Sequence, residues 1–110
     1  MNEPARSAEE CVGDKPPLRD GAVARVLTIC NKKGLHARAS ARFVQTVEKF
    51  DAEVRVMRCG ETVGGTSIMG LMMLAAAPGT KITVEATGSQ AAEVIEALAE
   101  LIDSRFGEKD

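Results

Sequence analysis

The stretch Ala22-Val23-Ala24-Arg25-Val26-Leu27-Thr28-Ile29-Cys30, followed at once by Asn31-Lys32-Lys33-Gly34-Leu35-His36-Ala37-Arg38-Ala39-Ser40, decides how the rest of the chain is read. Its first part is apolar and β-branched, and short enough for a strand. Asn31 to Gly34 is a turn signal, and Gly34 is free to take a positive φ. From His36 or Ala37 the period changes. Ala39, Phe43, Val47 and Phe50 recur at i, i+4, i+8 and i+11, which is one face of a helix. Arg38, Arg42, Gln45, Glu48 and Lys49 largely occupy the other side. The organising unit is therefore a strand passed through a tight turn into a helix, with the only histidine of the chain at the junction.

Downstream, Glu53 to Cys59 alternates, with Val54 and Val56 facing one way and Glu53 and Arg55 the other. Cys59-Gly60 reads as a tight turn into a short strand, Glu61 to Gly64, which makes a hairpin. Thr66 or Ser67 has the hydroxyl needed to cap a short helix running to about Leu74, and Pro78-Gly79 follows its end. Thr80 to Thr87 alternates again, with Ile82, Val84 and Ala86 expected inward and Lys81, Thr83 and Glu85 outward. Ser89 is the expected N-cap of the last helix. Ala91, Val94, Ile95, Leu98, Leu101 and Ile102 form its apolar stripe, Arg105 suits its C-terminal dipole, and Gly107 can stop it. The order is β-α-β-β-α-β-α. Burying one face of each element predicts an α+β, two-layer open-faced sandwich, with a four-stranded antiparallel sheet covered on one face by three helices.

Residues 1–20 are polar and charged, with Pro16-Pro17 and Gly13, and they bury too little apolar surface to offset the entropy of ordering. They read as a flexible N-terminal extension, 21–107 as the domain, and 108–110 as a C-terminal tail. The 110 residues suffice for one modest core, built from aliphatic residues and methionine because Phe43, Phe50 and Phe106 are the only aromatics. A net charge of -2 argues against a nucleic-acid surface, and no aromatic-plus-basic interleaving suggests stacking on bases. The three cysteines, Cys11, Cys30 and Cys59, are widely spaced and odd in number. They support neither a metal site nor a disulfide framework, and free thiols fit a reducing cytosol. With neither a secretory signal nor an apolar run of membrane-spanning length, a soluble, cytoplasmic, monomeric protein without a cofactor or bound metal is expected.

The junction points to chemistry. The first turn of a helix leaves N–H groups without intrahelical partners and carries a partial positive charge, so a phosphoryl group beside it is stabilised. Arg38 adds a planar cationic donor suited to phosphate oxygens. A neutral imidazole nitrogen is a good nucleophile near pH 7. His36 is therefore the candidate catalytic residue, and Arg38 its candidate for phosphoryl stabilisation.

Gly34-Leu35-His36-Ala37-Arg38 closely resembles the active-site signature of the HPr phosphocarrier family of the bacterial phosphoenolpyruvate-dependent phosphotransferase system. Gly65-Thr66-Ser67-Ile68-Met69-Gly70-Leu71-Met72 resembles the regulatory-serine helix of the same family, at its usual spacing from the first motif. The element order is also similar to the HPr fold, and the resemblance runs from about Ala22 to Phe106. It implies that His36 takes a phosphoryl group on Nδ1 from phosphorylated enzyme I and passes it to EIIA-type proteins. It implies further that Ser67 is phosphorylated by an HPr kinase/phosphorylase, and that Ile68, Met69, Met72 and Ala41 belong to the partner-binding face. Most family members carry proline immediately after the arginine, where this chain has Ala39. Alanine is a good helix former, so the helix is expected to survive with a freer entry.

The reading from another class is a regulatory interaction module, whose Ser67-phosphorylated form binds an enzyme or a transcription regulator. HPr-like proteins that do only this have lost the histidine, so His36 with Arg38 favours the carrier. An enzyme with its own turnover is least supported. The sequence shows no phosphate loop, no metal cluster, and no second acid or base near His36.

Overall fold

A computed structural model describes residues 21–74 and 76–108. The elements are β1 (Val23–Thr28), α1 (Ala37–Val47), β2 (Glu53–Arg58), β3 (Glu61–Gly64), α2 (Ile68–Met73), β4 (Lys81–Thr87) and α3 (Ala91–Asp103). A short 3-10 turn, Arg105–Gly107, closes the described chain. The four strands form one antiparallel sheet in the order β1-β4-β2-β3. All three helices lie over one face, giving the expected α+β open sandwich. The flexible extension expected over residues 1–20, and residues 109–110 of the expected tail, lie outside the described residues.

Local chemistry accounts for most element boundaries. Between β2 and β3, Arg58 pairs with Glu61 across a two-residue loop. Cys59 at φ 53 and Gly60 at φ 84 supply the two positive φ angles that match the twist of the flanking strands. Ser67 is the N-cap of α2, its Oγ accepting from Gly70 N–H at 3.0 Å. A Cβ at position 70 would come within 2.9 Å of that oxygen, so glycine leaves the cap its room. The interface between sheet and helices is the core. Phe43, Val47, Leu71, Val94, Ile95, Leu98 and Ile102 from the helices meet Leu27, Val54, Val56, Ile82, Val84 and Ala86 from the strands, all buried.

The structure corrects several expectations. Ser89 does not cap α3; Gln90 holds that position without a side-chain cap bond, and Ser89 Oγ donates to Asp51 Oδ2 instead. Gln90 Oε1 accepts from Asp51 N–H at 2.7 Å, so both polar side chains are spent tying the loop before β2 to the start of α3. Phe50 lies beyond the end of α1 and is only half-buried, as is Leu101. Arg105 lies past the last turn of α3, which ends at Asp103 ahead of Gly107. Arg105, Phe106 and Gly107 then take φ of 59, 57 and 73, a left-handed turn held by the fully buried Phe106 ring. Glu85, expected outward, is instead fully buried, and it forms an ion pair of 2.5 Å with its register partner Arg55. Cys30 is a free thiol, whereas Cys59 is disulfide-bonded, contrary to the free thiols expected.

Candidate functional site

The turn between β1 and α1 is clamped from two sides. Leu35 N–H donates to Ala76 O at 3.0 Å, and Ile29 pairs with Thr80 and Gly79. Gly34 has φ 66, and a Cβ there would come within 2.3 Å of Ala76 O, so backbone packs on backbone with no room for a side chain. This clamp delivers His36, in extended conformation, as the N-cap of α1. Its backbone carbonyl accepts the first helical bond, from Ser40 N–H at 2.8 Å, and its ring Nδ1 accepts from Arg38 N–H at 3.3 Å. The N–H groups of Ala37 and Ala39 precede the first helical donor, Ser40 N–H, and have no intrahelical partner. Alanine in place of the family proline leaves α1 starting at Ala37, with the Ala39 methyl fully buried.

The other ring nitrogen is held from the far end of the chain. His36 Nε2 lies 2.5 Å from Glu108 Oε2, and the two side chains are 28% and 14% exposed. Asn31 Nδ2 donates to Glu108 Oε1 at 3.0 Å and to Gly34 O at 2.8 Å. Both of those atoms are acceptors, which fixes the direction of the buried Asn31 amide. Burial opposes ionisation of Glu108, but the hydrogen bonds from Asn31 and His36, with the charges of His36 and Lys33, outweigh it and hold the carboxyl below its usual range. Arg42, one turn along α1 from Arg38, donates to Phe106 O at 2.6 Å and so fastens the left-handed turn that carries Glu108.

Around these groups lies an open cleft of about 780 Å³, lined by Lys32, Lys33, His36, Ala37, Arg38, Arg42, Gly107 and Glu108. Four cations face one carboxylate, so the cleft favours an anion. Arg38, exposed at its rim, therefore sits with His36 as the sequence suggested. Ser67 does not line the cleft; it is exposed at the start of α2, a helix that packs against α1. Ile68, Met69 and Met72 are 39%, 70% and 42% exposed, with Met73 at 71%, while Leu71 and Leu74 go into the core. Ala41 is half-buried on α1. The sequence reading missed Glu108, taken for the start of a tail, and also Asn31 and Arg42 as parts of the site. No local pattern marks them, because their partners are far along the chain. Among the described residues, no cluster of three or more His, Cys, Asp or Glu could hold a metal ion. No helix there is long and apolar enough to cross a membrane.

Fold and site together define a small open-faced sandwich that presents one N-capping histidine in a basic cleft. Residues 23–104 match the family profile described as "PTS HPr component phosphorylation site". Phosphocarrier protein HPr of Neisseria meningitidis serogroup B is 54% identical over 82 residues, covering 74% of this chain and 92% of that protein. Phosphocarrier protein HPr of Cupriavidus necator is 49% identical over 84 residues, covering 76% and 94%. The crystal structure of HPr-C-His from Thermoanaerobacter tengcongensis superposes with a TM-score of 0.76 at 41% identity, covering 80% of this chain and 99% of that one. The chain belongs to the HPr family of phosphocarrier proteins of the phosphotransferase system.

Proposed function

We propose that His36 is the phosphoryl-carrying residue, charged by phosphorylated enzyme I and ultimately by phosphoenolpyruvate, and discharged to EIIA-type proteins. The observation that carries this reading is the position of His36 Nδ1, which faces the Arg38 amide at the start of α1 inside a cleft of four cations. The Nδ1 lone pair forms the new N–P bond as the bond between phosphorus and its donor breaks, and the donor keeps that electron pair. The amides of the first turn and the Arg38 guanidinium offset the phosphoryl charge. Reversal of the same step hands the group on.

In this reading Ser67 is a control point for an HPr kinase/phosphorylase. A phosphate there would add about -1.5 to -2 charges at a helix start, where they are tolerated, and would repel an acidic partner. The exposed side chains of Ile68, Met69 and Met72, with Ala41, form the docking face, and flexible methionines suit a surface that fits several partners. The carrier acts in the cytoplasm as a monomer. The test is incubation with phosphoenolpyruvate and enzyme I, followed by a search for an acid-labile, base-stable phosphate. His36→Ala should abolish the label; label that persists in that variant overturns the assignment.

A further inference from the structure

Both ring nitrogens of His36 are accounted for, and by groups of opposite kind. Nδ1 faces a backbone N–H, Arg38's, which only donates, so Nδ1 must carry a lone pair there. Nε2 faces the Glu108 carboxylate, which when ionised only accepts, so Nε2 must carry the proton. The two contacts demand the same neutral tautomer. Glu108 is itself a built partner rather than a passing surface contact. Its second oxygen is held by buried Asn31, and its backbone N–H donates to Arg105 O at 3.0 Å. Its turn is pinned by the buried Phe106 ring and by Arg42.

We infer that Glu108 is a positioning residue that directs the phosphoryl group to Nδ1 of His36, by holding the Nε2 proton and covering that edge of the ring. This rests on the reading of His36 as the phosphoryl acceptor. An imidazole has two nitrogens of comparable nucleophilicity, and nothing in the ring itself confines attack to one of them. Here Nε2 has no free lone pair and lies against a carboxylate that repels an incoming phosphoryl dianion. The Nδ1 lone pair is left facing the cationic side of the cleft. When Nδ1 forms its N–P bond, the ring becomes formally cationic while Nε2 keeps its proton. Glu108 then sits opposite that positive charge and stabilises it. Released from Glu108, the ring could turn about its side-chain bonds, or exchange the proton between nitrogens, and offer either edge.

Phosphoramidate tests this without any partner protein. Its P–N bond breaks as the ring nitrogen attacks, and ammonia leaves with the electron pair and a proton. Phosphorus NMR distinguishes the two phosphohistidine isomers. Wild type should be labelled at Nδ1, with only a trace at Nε2. Glu108→Ala should raise the Nε2 share relative to Nδ1 by roughly ten- to a hundredfold, the ratio a single hydrogen bond to a charged group supports. Glu108→Gln, whose amide oxygen still accepts from Nε2–H, should stay close to wild type. The Nε2 proton should be seen directly by proton NMR in wild type and Glu108→Gln, and be lost to solvent exchange in Glu108→Ala. An unchanged isomer ratio in Glu108→Ala overturns the positioning role. Label absent from His36 with enzyme I and phosphoenolpyruvate, while phosphoramidate gives the predicted ratios, overturns the phosphocarrier reading instead.

Discussion

Arg42 Nη1 donates to Phe106 O at 2.6 Å, so the helix that His36 caps also holds the turn that brings Glu108 to His36. One element thus fixes both partners of the His36–Glu108 hydrogen bond. Three consecutive positive φ angles at Arg105, Phe106 and Gly107 would cost the two non-glycine residues about 1–2 kcal/mol each if nothing held them there. Phe106 burial and the Arg42 bond are what hold them.

Arg42→Ala should therefore loosen the C-terminal turn without unfolding the domain. The exposed guanidinium can be replaced in part by water, so the loss should be about 1 kcal/mol. Urea unfolding reads the stability, and amide shifts of Phe106 to Glu108 read the turn. Gly107→Ala should act on the same contact, since a Cβ there would come within 2.6 Å of Arg42 Nη1 at a φ of 73. Shifts confined to the solvent face of α1 would contradict this account.

Gly34→Ala should be far more damaging. The new methyl would meet Ala76 O at 2.3 Å, a backbone atom already bonded to Leu35 N–H, and the residue would stay at φ 66. The positive φ and the clash together should cost at least about 2–3 kcal/mol. Denaturant unfolding measures this, and phosphoryl acceptance at His36 should fall with it, because the Leu35–Ala76 clamp aims the histidine. A stability loss well under 1 kcal/mol would remove the clamp from the account of the site.

Ser67→Ala should cost about 1 kcal/mol, the worth of an N-cap whose removal leaves Gly70 N–H without its acceptor. Ser67→Asp should keep the cap, since a carboxylate accepts the same bond and favours the helix start. Thermal unfolding of the two variants separates the structural role of the hydroxyl from any regulatory one. Equal losses in both would mean that the cap contributes nothing.

The acid limb of stability should carry the signature of Glu108. Its carboxyl ionises below the usual range in the folded protein, so the unfolded chain binds that proton first as pH falls. The stabilisation is fully present above the ordinary glutamate pKa and is lost as pH falls through the lowered folded value. Glu108→Gln should flatten this part of the stability curve, losing stability relative to wild type at neutral pH and converging on it at the acid end. Urea midpoints from pH 6 down to pH 3 test it. Parallel curves for wild type and variant would show that the Glu108 carboxylate stores no pH-dependent stability.

The residues that act through near neighbours were legible in the chain. The alternation of Val54 and Val56, the recurrence of Ala39, Phe43 and Val47, the Cys59-Gly60 turn and the Ser67 cap all depend on contacts within a few positions. They could therefore be read from spacing and side-chain chemistry. The position of His36 at the helix start beside Arg38 belongs to the same group, because the amides it faces are its own successors. Ser89 shows the limit even at short range. Its hydroxyl was free either to cap α3 or to leave it, and Asp51, brought alongside by the fold, decided the matter.

Tertiary structure alone decided who completes the site. Glu108 lies 72 residues from His36, Phe106 is 64 from Arg42, and Glu85 is 30 from Arg55. No periodicity links such pairs. Sheet register places Arg55 opposite Glu85, and a left-handed turn anchored by one buried ring places Glu108 against the imidazole. The sequence by itself determined the elements and the placement of His36 at the start of α1, because those follow from local backbone preference and amphipathic period. Which group holds Nε2 of His36 was settled by where the packed core brings the far end of the chain.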